Sequence, residues 1–178
     1  MNEFWRVDTL AYLGLYLLIA SVSILIHILP LSGTGAWPQP NLLLALTLAW
    51  VLRRPGHLPA PAIALVFLAE DLFLMRPPGL WALVVLAGSE FLRRRALVVR
   101  EMNLLLEWAM VTAVLVAMSI AYRLVLMIVM SPRDPLDLSV QALVVTILVY
   151  PLVVWVLQGV LRVKKPATGE VDELGRRL

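Results

Sequence analysis

Two adjacent acids, Glu70 and Asp71, are the side chains of this sequence whose types and position point most directly to chemistry. They lie within an apolar stretch, 58–75. Placing a carboxylate in lipid costs about 2.5–3.5 kcal/mol on insertion scales, so two in a row indicate a function or a partner that hides the charge. Neighbouring helical residues point about 100° apart and therefore face different partners. The pair fits a structural role or a solvated helix end; the alternative is a role in a substrate cavity or a protein contact.

Arg123 is the basic residue at a matching depth. It lies in a second apolar stretch, 103–130, and precedes the end of that stretch by about 10 Å of helical rise. Glu70 and Asp71 precede Arg76, just after the end of their own stretch, by about 7–9 Å. Its long side chain can snorkel to the interface. We expect it instead to pair with Asp71 or Glu70, directly or through one water, because a bare charge in lipid costs more than a paired one.

The remaining acids within apolar stretches have simpler interpretations. Glu107 shares a helix with Arg123 but lies about 24 Å away along it, so the two cannot pair. We expect Arg100 and the cluster Arg93–Arg95 to be the neighbours of Glu107. Glu90 precedes the first arginine of that cluster by three residues, which predicts an ordinary pair along one helix.

No combination of residues typical of an enzyme occurs in the sequence. The chain has no cysteine, which excludes disulfides, a thiol nucleophile and a thiolate metal site. The two histidines, His27 and His57, are predicted on opposite sides of the membrane, so they form no metal site. Hydrolase elbows, phosphate loops and dinucleotide fingerprints are also missing. We therefore expect no catalysis, no metal and no cofactor.

Composition places the chain in a membrane. Of its 178 residues, 61% are hydrophobic and only 15% are charged, and the mean hydropathy is +0.89. Soluble domains are closer to half apolar and a quarter charged. The length fits one domain. The Arg93–Arg95 cluster is typical of a topology signal with contact to anionic membrane lipids, and not of nucleic-acid binding.

The apolar stretches predict an all-α membrane protein, a bundle of six transmembrane helices in a single domain, 1–165, with a flexible tail, 166–178. Three of the spans are long and three are short, so we expect the bilayer to be locally thinned beside the short ones. The predicted spans are 9–30, 38–52, 58–75, 79–92, 103–130 and 138–161.

Basic residues predict the orientation, because cytoplasmic segments are enriched in Lys and Arg. With both termini in the cytoplasm, the outer loops hold only Arg76 and Arg133, whereas twelve basic residues fall on the cytoplasmic side. Those twelve are Arg6, Arg53, Arg54, Arg93, Arg94, Arg95, Arg100, Arg162, Lys164, Lys165, Arg176 and Arg177.

One segment carries a recognisable order of residues: Pro40 and Asn41, then a leucine run with an aromatic residue, and then Arg53, Arg54 and Pro55. It resembles the second helix of the bacterial rod shape-determining protein MreD family. In that family a proline and an aspartate or asparagine precede a leucine run, an aromatic residue and Arg-Arg-Pro.

A second segment resembles the pattern of the same family in which an aspartate and a hydrophobic run precede a Pro-Leu-Gly turn. Asp71 corresponds to the family's aspartate, and Pro77 or Pro78 with Gly79 corresponds to its turn. The sequence departs from the pattern by Glu70 beside the aspartate, by Pro78 where leucine is commoner, and by the lack of a glycine shortly before Asp71.

The resemblance implies a non-enzymatic scaffold of the bacterial inner membrane, within the machinery that builds lateral-wall peptidoglycan and maintains rod shape. The implied partners are MreC, RodA, a class B penicillin-binding protein and, indirectly, MreB. It also implies a fold like that of the substrate-binding subunits of energy-coupling-factor transporters. The alternative is therefore the substrate-binding membrane subunit of a vitamin-type importer, which would need a polar cavity open to the outside.

Overall fold

The computed structural model describes residues 2–28, 40–100, 103–130 and 135–159. Within them the chain is all-helical, with six α-helices and no strand, as the sequence predicts. The predicted tail, 166–178, and the predicted span ends at 29–30, 38–39 and 160–161 lie outside the described residues. The helices are α1 (Asn2–Ile28), α2 (Leu42–Arg53), α3 (Ala60–Phe73), α4 (Leu80–Arg100), α5 (Leu104–Ile128) and α6 (Leu136–Gly159).

Three of these helices are long and apolar enough to cross a membrane. They are the Leu10–Ile28 part of α1, α5 and α6, with mean hydropathies of 2.1, 2.2 and 2.4. Each turns a broad apolar face outward, with residues such as Leu18, Ile120 and Leu148 more than half exposed. Apolar side chains on the outside are what a lipid environment requires. The membrane character predicted from composition is confirmed at this level.

The short helix α2 is the centre of the fold. All of its residues from Leu43 to Arg53 are buried, and it packs against α1, α4 and α6. A helix that is hydrophobic all round is one that neighbouring helices cover. Asn41 starts it: its side chain accepts a hydrogen bond from the Leu44 backbone N–H at 2.9 Å. The Asn41 N–H in turn binds Thr146 Oγ1 at 2.9 Å, which ties this helix end to α6.

Helices α3 and α4 lie on either side of the predicted turn at Gly79 and pack against each other as a hairpin. The turn between them contains two residues with positive φ, Met75 at 53° and Gly79 at 85°. The predicted span, 79–92, covers only part of the second helix of this hairpin. Helix α4 continues through the Arg93–Arg95 cluster and contains 21 residues, about 31 Å by helical rise. The apolar run ends near Leu92, but arginine is a good helix former, so the helix does not end there.

Candidate functional site

A fully buried polar cluster joins three helices in the described part of the chain. Arg53 Nη1, at the end of α2, lies 2.7 Å from Glu107 Oε1 near the start of α5. The Tyr150 hydroxyl on α6 donates to the same oxygen at 2.9 Å. All three residues are fully buried. Nη1 of Arg53 also donates to the Ala49 carbonyl at 3.1 Å within its own helix.

This inner cluster (Arg53, Glu107 and Tyr150) is suited to holding helices together and not to a reaction. A buried pair is expensive to desolvate, and its Coulomb energy repays that cost only with good geometry and further hydrogen bonds. Removing one partner leaves the other charge stranded. The full burial of the cluster leaves no surface for a substrate. The cluster therefore holds α2, α5 and α6 together.

The structure gives Glu107 a partner that the sequence analysis did not name. We expected Arg100 and the Arg93–Arg95 cluster beside Glu107. The structure places Arg53 there, and the side chain of Arg100 lies outside the described residues. Arg93 instead forms the predicted pair with Glu90, at 2.8 Å, and donates to the carbonyls of Pro55 and Leu58. It thereby fastens the loop before α3 onto α4.

Asp71 lies at the other end of the hairpin and caps a helix. Its Oδ2 accepts hydrogen bonds from the backbone N–H groups of Gly79, at 3.0 Å, and Ala82, at 3.2 Å. These N–H groups belong to the start of α4, where the amides lack partners within the helix and the helix dipole favours negative charge. A fully buried carboxylate is thus used as a cap across the turn.

Glu70 faces a different partner from Asp71, as adjacent helical positions require. Its Oε1 lies 3.7 Å from Arg76 Nη1, and the Glu70 side chain is 2% exposed. Among the described residues no ion pair at salt-bridge distance joins either acid to Arg123. The direct pair that we expected is thus replaced by partners within the hairpin, and the water-bridged pair stays a prediction.

The positions that carry the family resemblance lie mainly at helix ends. Asn41 begins α2 and Arg54 ends it, with the Arg54 N–H on the Trp50 carbonyl at 2.8 Å. Gly79 adopts a positive φ at the hairpin turn. The prolines at these positions also end or precede helices: the carbonyls of Pro40, Pro55 and Pro77 accept hydrogen bonds from Leu42, Arg93 and Leu80.

Sequence reasoning missed two buried contacts. Tyr150 was not identified, although a phenol within an apolar span needs a hydrogen-bond partner there. The buried bond of 3.0 Å between the Tyr16 and Thr47 hydroxyls, which joins α1 to α2, was missed as well. The sequence does contain a signal for the pairing of Arg53 with Glu107, because both residues lie at the predicted cytoplasmic ends of their spans.

The described residues hold no group of three His, Asp or Glu that could bind a metal ion. Comparison of the chain with family models, with curated proteins and with solved structures gave no match. The fold and these polar contacts are therefore the basis on which a function is argued.

Proposed function

We propose that this protein is a multi-pass scaffold subunit of the bacterial cell-wall elongation machinery. It crosses the inner membrane six times with both termini in the cytoplasm. It binds MreC and, with MreC, the synthase formed by RodA and a class B penicillin-binding protein, and it is linked through them to MreB. Its contribution is shape and contact, without catalytic turnover.

The proposal rests on the structural roles of the residues that carry the family resemblance. Asn41 caps α2, Arg53 enters the inner cluster, and Asp71 caps α4 beside the positive φ of Gly79. Residues that fix helix ends and helix contacts produce a rigid body of defined surface. A scaffold needs such a body, whereas an enzyme also needs a reactive group that substrate can reach.

The short lengths of α2 and α3 support the same function. Helices α2 and α3 contain 12 and 14 residues, about 18 Å and 21 Å of rise, against about 37 Å for the 25 residues of α5. Helix α3 exposes Leu65 and Leu72, so as a span of a core about 30 Å thick it needs a locally thinned bilayer beside it, whereas α2 is covered by its neighbours. A thinned patch beside a rigid bundle is a natural place for partner helices to gather.

The cavity between α4 and α5 favours the scaffold over the importer alternative, because of its shape and its lining. A subunit that binds a polar vitamin needs polar groups from several helices around an enclosed space. The cavity has a volume of about 590 Å³, opens sideways, and is lined by apolar side chains and one arginine, Arg95. That lining suits hydrocarbon rather than a polar vitamin.

Site-specific photo-crosslinking in growing rod-shaped cells tests the proposal. A photoreactive residue is placed at exposed Leu18 of α1 or exposed Leu152 of α6, with buried Ala20 and Val154 as matched controls on the same helices. The proposal predicts cross-links from the exposed positions to MreC or RodA and none from the controls. Capture of an ATPase transport module instead, or of neither partner from any exposed position of these helices, would overturn it.

A further inference from the structure

A long apolar groove runs between α4 and α5, on the outside of the bundle. One end is lined by Leu83 and Ala121 and the other by Phe91 and Arg95, with Ala117 among the small residues between them. Its volume of about 590 Å³ falls within the range of ligand-binding cavities. Small side chains along both walls keep the groove open.

The dimensions of the groove fit a single hydrocarbon chain. From Leu83 to Arg95 helix α4 rises about 18 Å, close to the roughly 15 Å that one leaflet contributes to the hydrocarbon core. The two walls are neighbouring helices in direct contact: a Cβ on Gly88 would lie 2.5 Å from Met118 Sδ. A helix, about 10–12 Å wide with its side chains, would lie over two helices packed this closely and not fill the groove between them.

Charge is confined to one end of the groove. Arg95 is the single charged residue among the described residues of the lining. Its Cζ lies 3.8 Å from the centroid of the Phe91 ring, which holds the guanidinium over the end of the groove. The ion pairs of the described residues use Arg53, Arg76 and Arg93, so no carboxylate there neutralises Arg95. An exposed arginine at the end of an apolar groove complements an anionic headgroup with its acyl chain.

We propose that this groove binds one acyl chain of an anionic phospholipid from the leaflet at the Arg95 end, with the lipid phosphate on the Arg95 guanidinium. Arginine binds phosphate through its planar set of N–H donors. The cation–π contact with Phe91 orients that set toward the end of the groove. The bound lipid becomes part of the surface that α4 and α5 offer to the membrane.

The test uses the full chain in lipid nanodiscs that contain a small fraction of phosphatidylglycerol with a diazirine in its acyl chain. After illumination, labelled peptides are mapped by mass spectrometry. Labelling is expected to concentrate on the groove faces of α4 and α5, above the level on the equally apolar outer faces of α1 and α6. The same probe with a phosphatidylcholine headgroup should label the groove about fivefold less, which is the effect expected of one basic residue near a membrane surface.

Two matched pairs of variants separate the groove from general membrane contact. Arg95→Gln should lower groove labelling by phosphatidylglycerol about fivefold, and Arg94→Gln, the exposed neighbour outside the lining, should leave it unchanged. Ala117→Phe fills the groove and should abolish labelling, whereas Ala109→Phe, exposed on α5 but outside the groove, should not. Thermal unfolding of each variant checks that it folds.

Three results would overturn the assignment. Equal labelling of all outward faces means that the groove has no preference for lipid. Equal labelling by the two headgroups means that Arg95 does not select an anion. An equal effect of Arg94→Gln and Arg95→Gln means that general positive charge, and not this groove, attracts the lipid.

Discussion

Two buried carboxylates of this protein, Glu107 and Asp71, are stabilised in opposite ways. Glu107 meets side chains from two other helices, Arg53 and Tyr150, which lie 54 and 43 residues away in the chain. Asp71 meets backbone N–H groups that follow it by only 8 and 11 residues, across one turn. The first carboxylate joins distant helices, and the second completes a local hairpin.

The difference shows how a bundle with little hydrophobic driving force between its helices gains specificity. Lipid is as apolar as leucine, so packing and polar contacts must fix which helices meet. The inner cluster fixes α2 against α5 and α6. The Asp71 cap fixes only the geometry of the α3–α4 turn. We therefore expect damage to the inner cluster to affect the whole fold, and damage to the cap to affect one hairpin.

The largest effect is expected from Glu107→Gln. The amide keeps the size of the side chain and a carbonyl oxygen for Arg53 and Tyr150, but it leaves the Arg53 charge buried without its counter-charge. Breaking a buried pair in this way costs about 3–5 kcal/mol in soluble proteins. Unfolding of the purified chain in detergent, followed by circular dichroism, measures the loss.

Arg54→Gln is the matched control, because Arg54 is adjacent to Arg53 but only partly buried, and it should change the free energy of unfolding by no more than about 0.5 kcal/mol. The double variant Arg53→Met, Glu107→Leu removes both charges and should recover most of the loss. If the double variant is as unstable as the sum of the two single ones, the cluster does not act as a pair.

A smaller effect is expected from Asp71→Ala, which removes the acceptor of two backbone hydrogen bonds. Loss of a helix cap costs about 0.5–2 kcal/mol, and the charge of the acceptor places this case near the upper end. Asp71→Asn keeps one carbonyl acceptor and should recover about half. Hydrogen exchange should show the loss at the start of α4 and not in α5 or α6. Faster exchange throughout the bundle would contradict a local role.

Gly79→Ala tests the turn without touching the cap. At a φ of 85° an alanine is strained, although its Cβ would meet nothing closer than Leu68 Cδ1 at 3.9 Å. The expected cost is about 1–2 kcal/mol, from the backbone alone. Gly56→Ala, where the added Cβ meets nothing within 4 Å and φ is not positive, should be neutral or slightly stabilising. Equal melting temperatures for the two variants would mean that the turn is not constrained by its φ.

The smallest effect is expected from Arg76→Gln. The Glu70–Arg76 pair is long, 3.7 Å, and the Arg76 side chain is 31% exposed, so solvent screens much of its attraction. Such pairs contribute about 0–1 kcal/mol. Raising the salt concentration should reduce even this difference in unfolding free energy between the variant and the wild type. A loss as large as that of Glu107→Gln would show that Glu70 depends on Arg76 as Glu107 depends on Arg53.

The sequence predicts the helices better than the contacts between them. Apolar length predicts α1, α5 and α6 because a span needs a run of about 20 apolar residues. Apolar length does not predict the end of α4. Hydropathy indicates where the apolar segment ends, whereas the hydrogen bonding of the helix continues beyond it. The sequence identifies Asp71 as a candidate site residue but does not identify its partners. Those partners are backbone N–H groups, which every residue except proline has, so they leave no signal in the sequence. The partner of Glu107 depends on which helices pack together, and that information is spread over the whole chain.

We propose that the buried polar residues maintain the shape of a scaffold and perform no chemistry. The test uses a rod-shaped bacterium that lacks the protein. Four variants are expressed in it, one at a time: Glu70→Gln, Asp71→Asn, Glu107→Gln and Arg123→Gln. Cell width, MreC co-purification and thermal stability are recorded for each variant. We expect cell shape to fail only in variants whose thermal stability and MreC binding also fall. A variant that keeps both and still gives round cells would contradict it and indicate catalysis or transport.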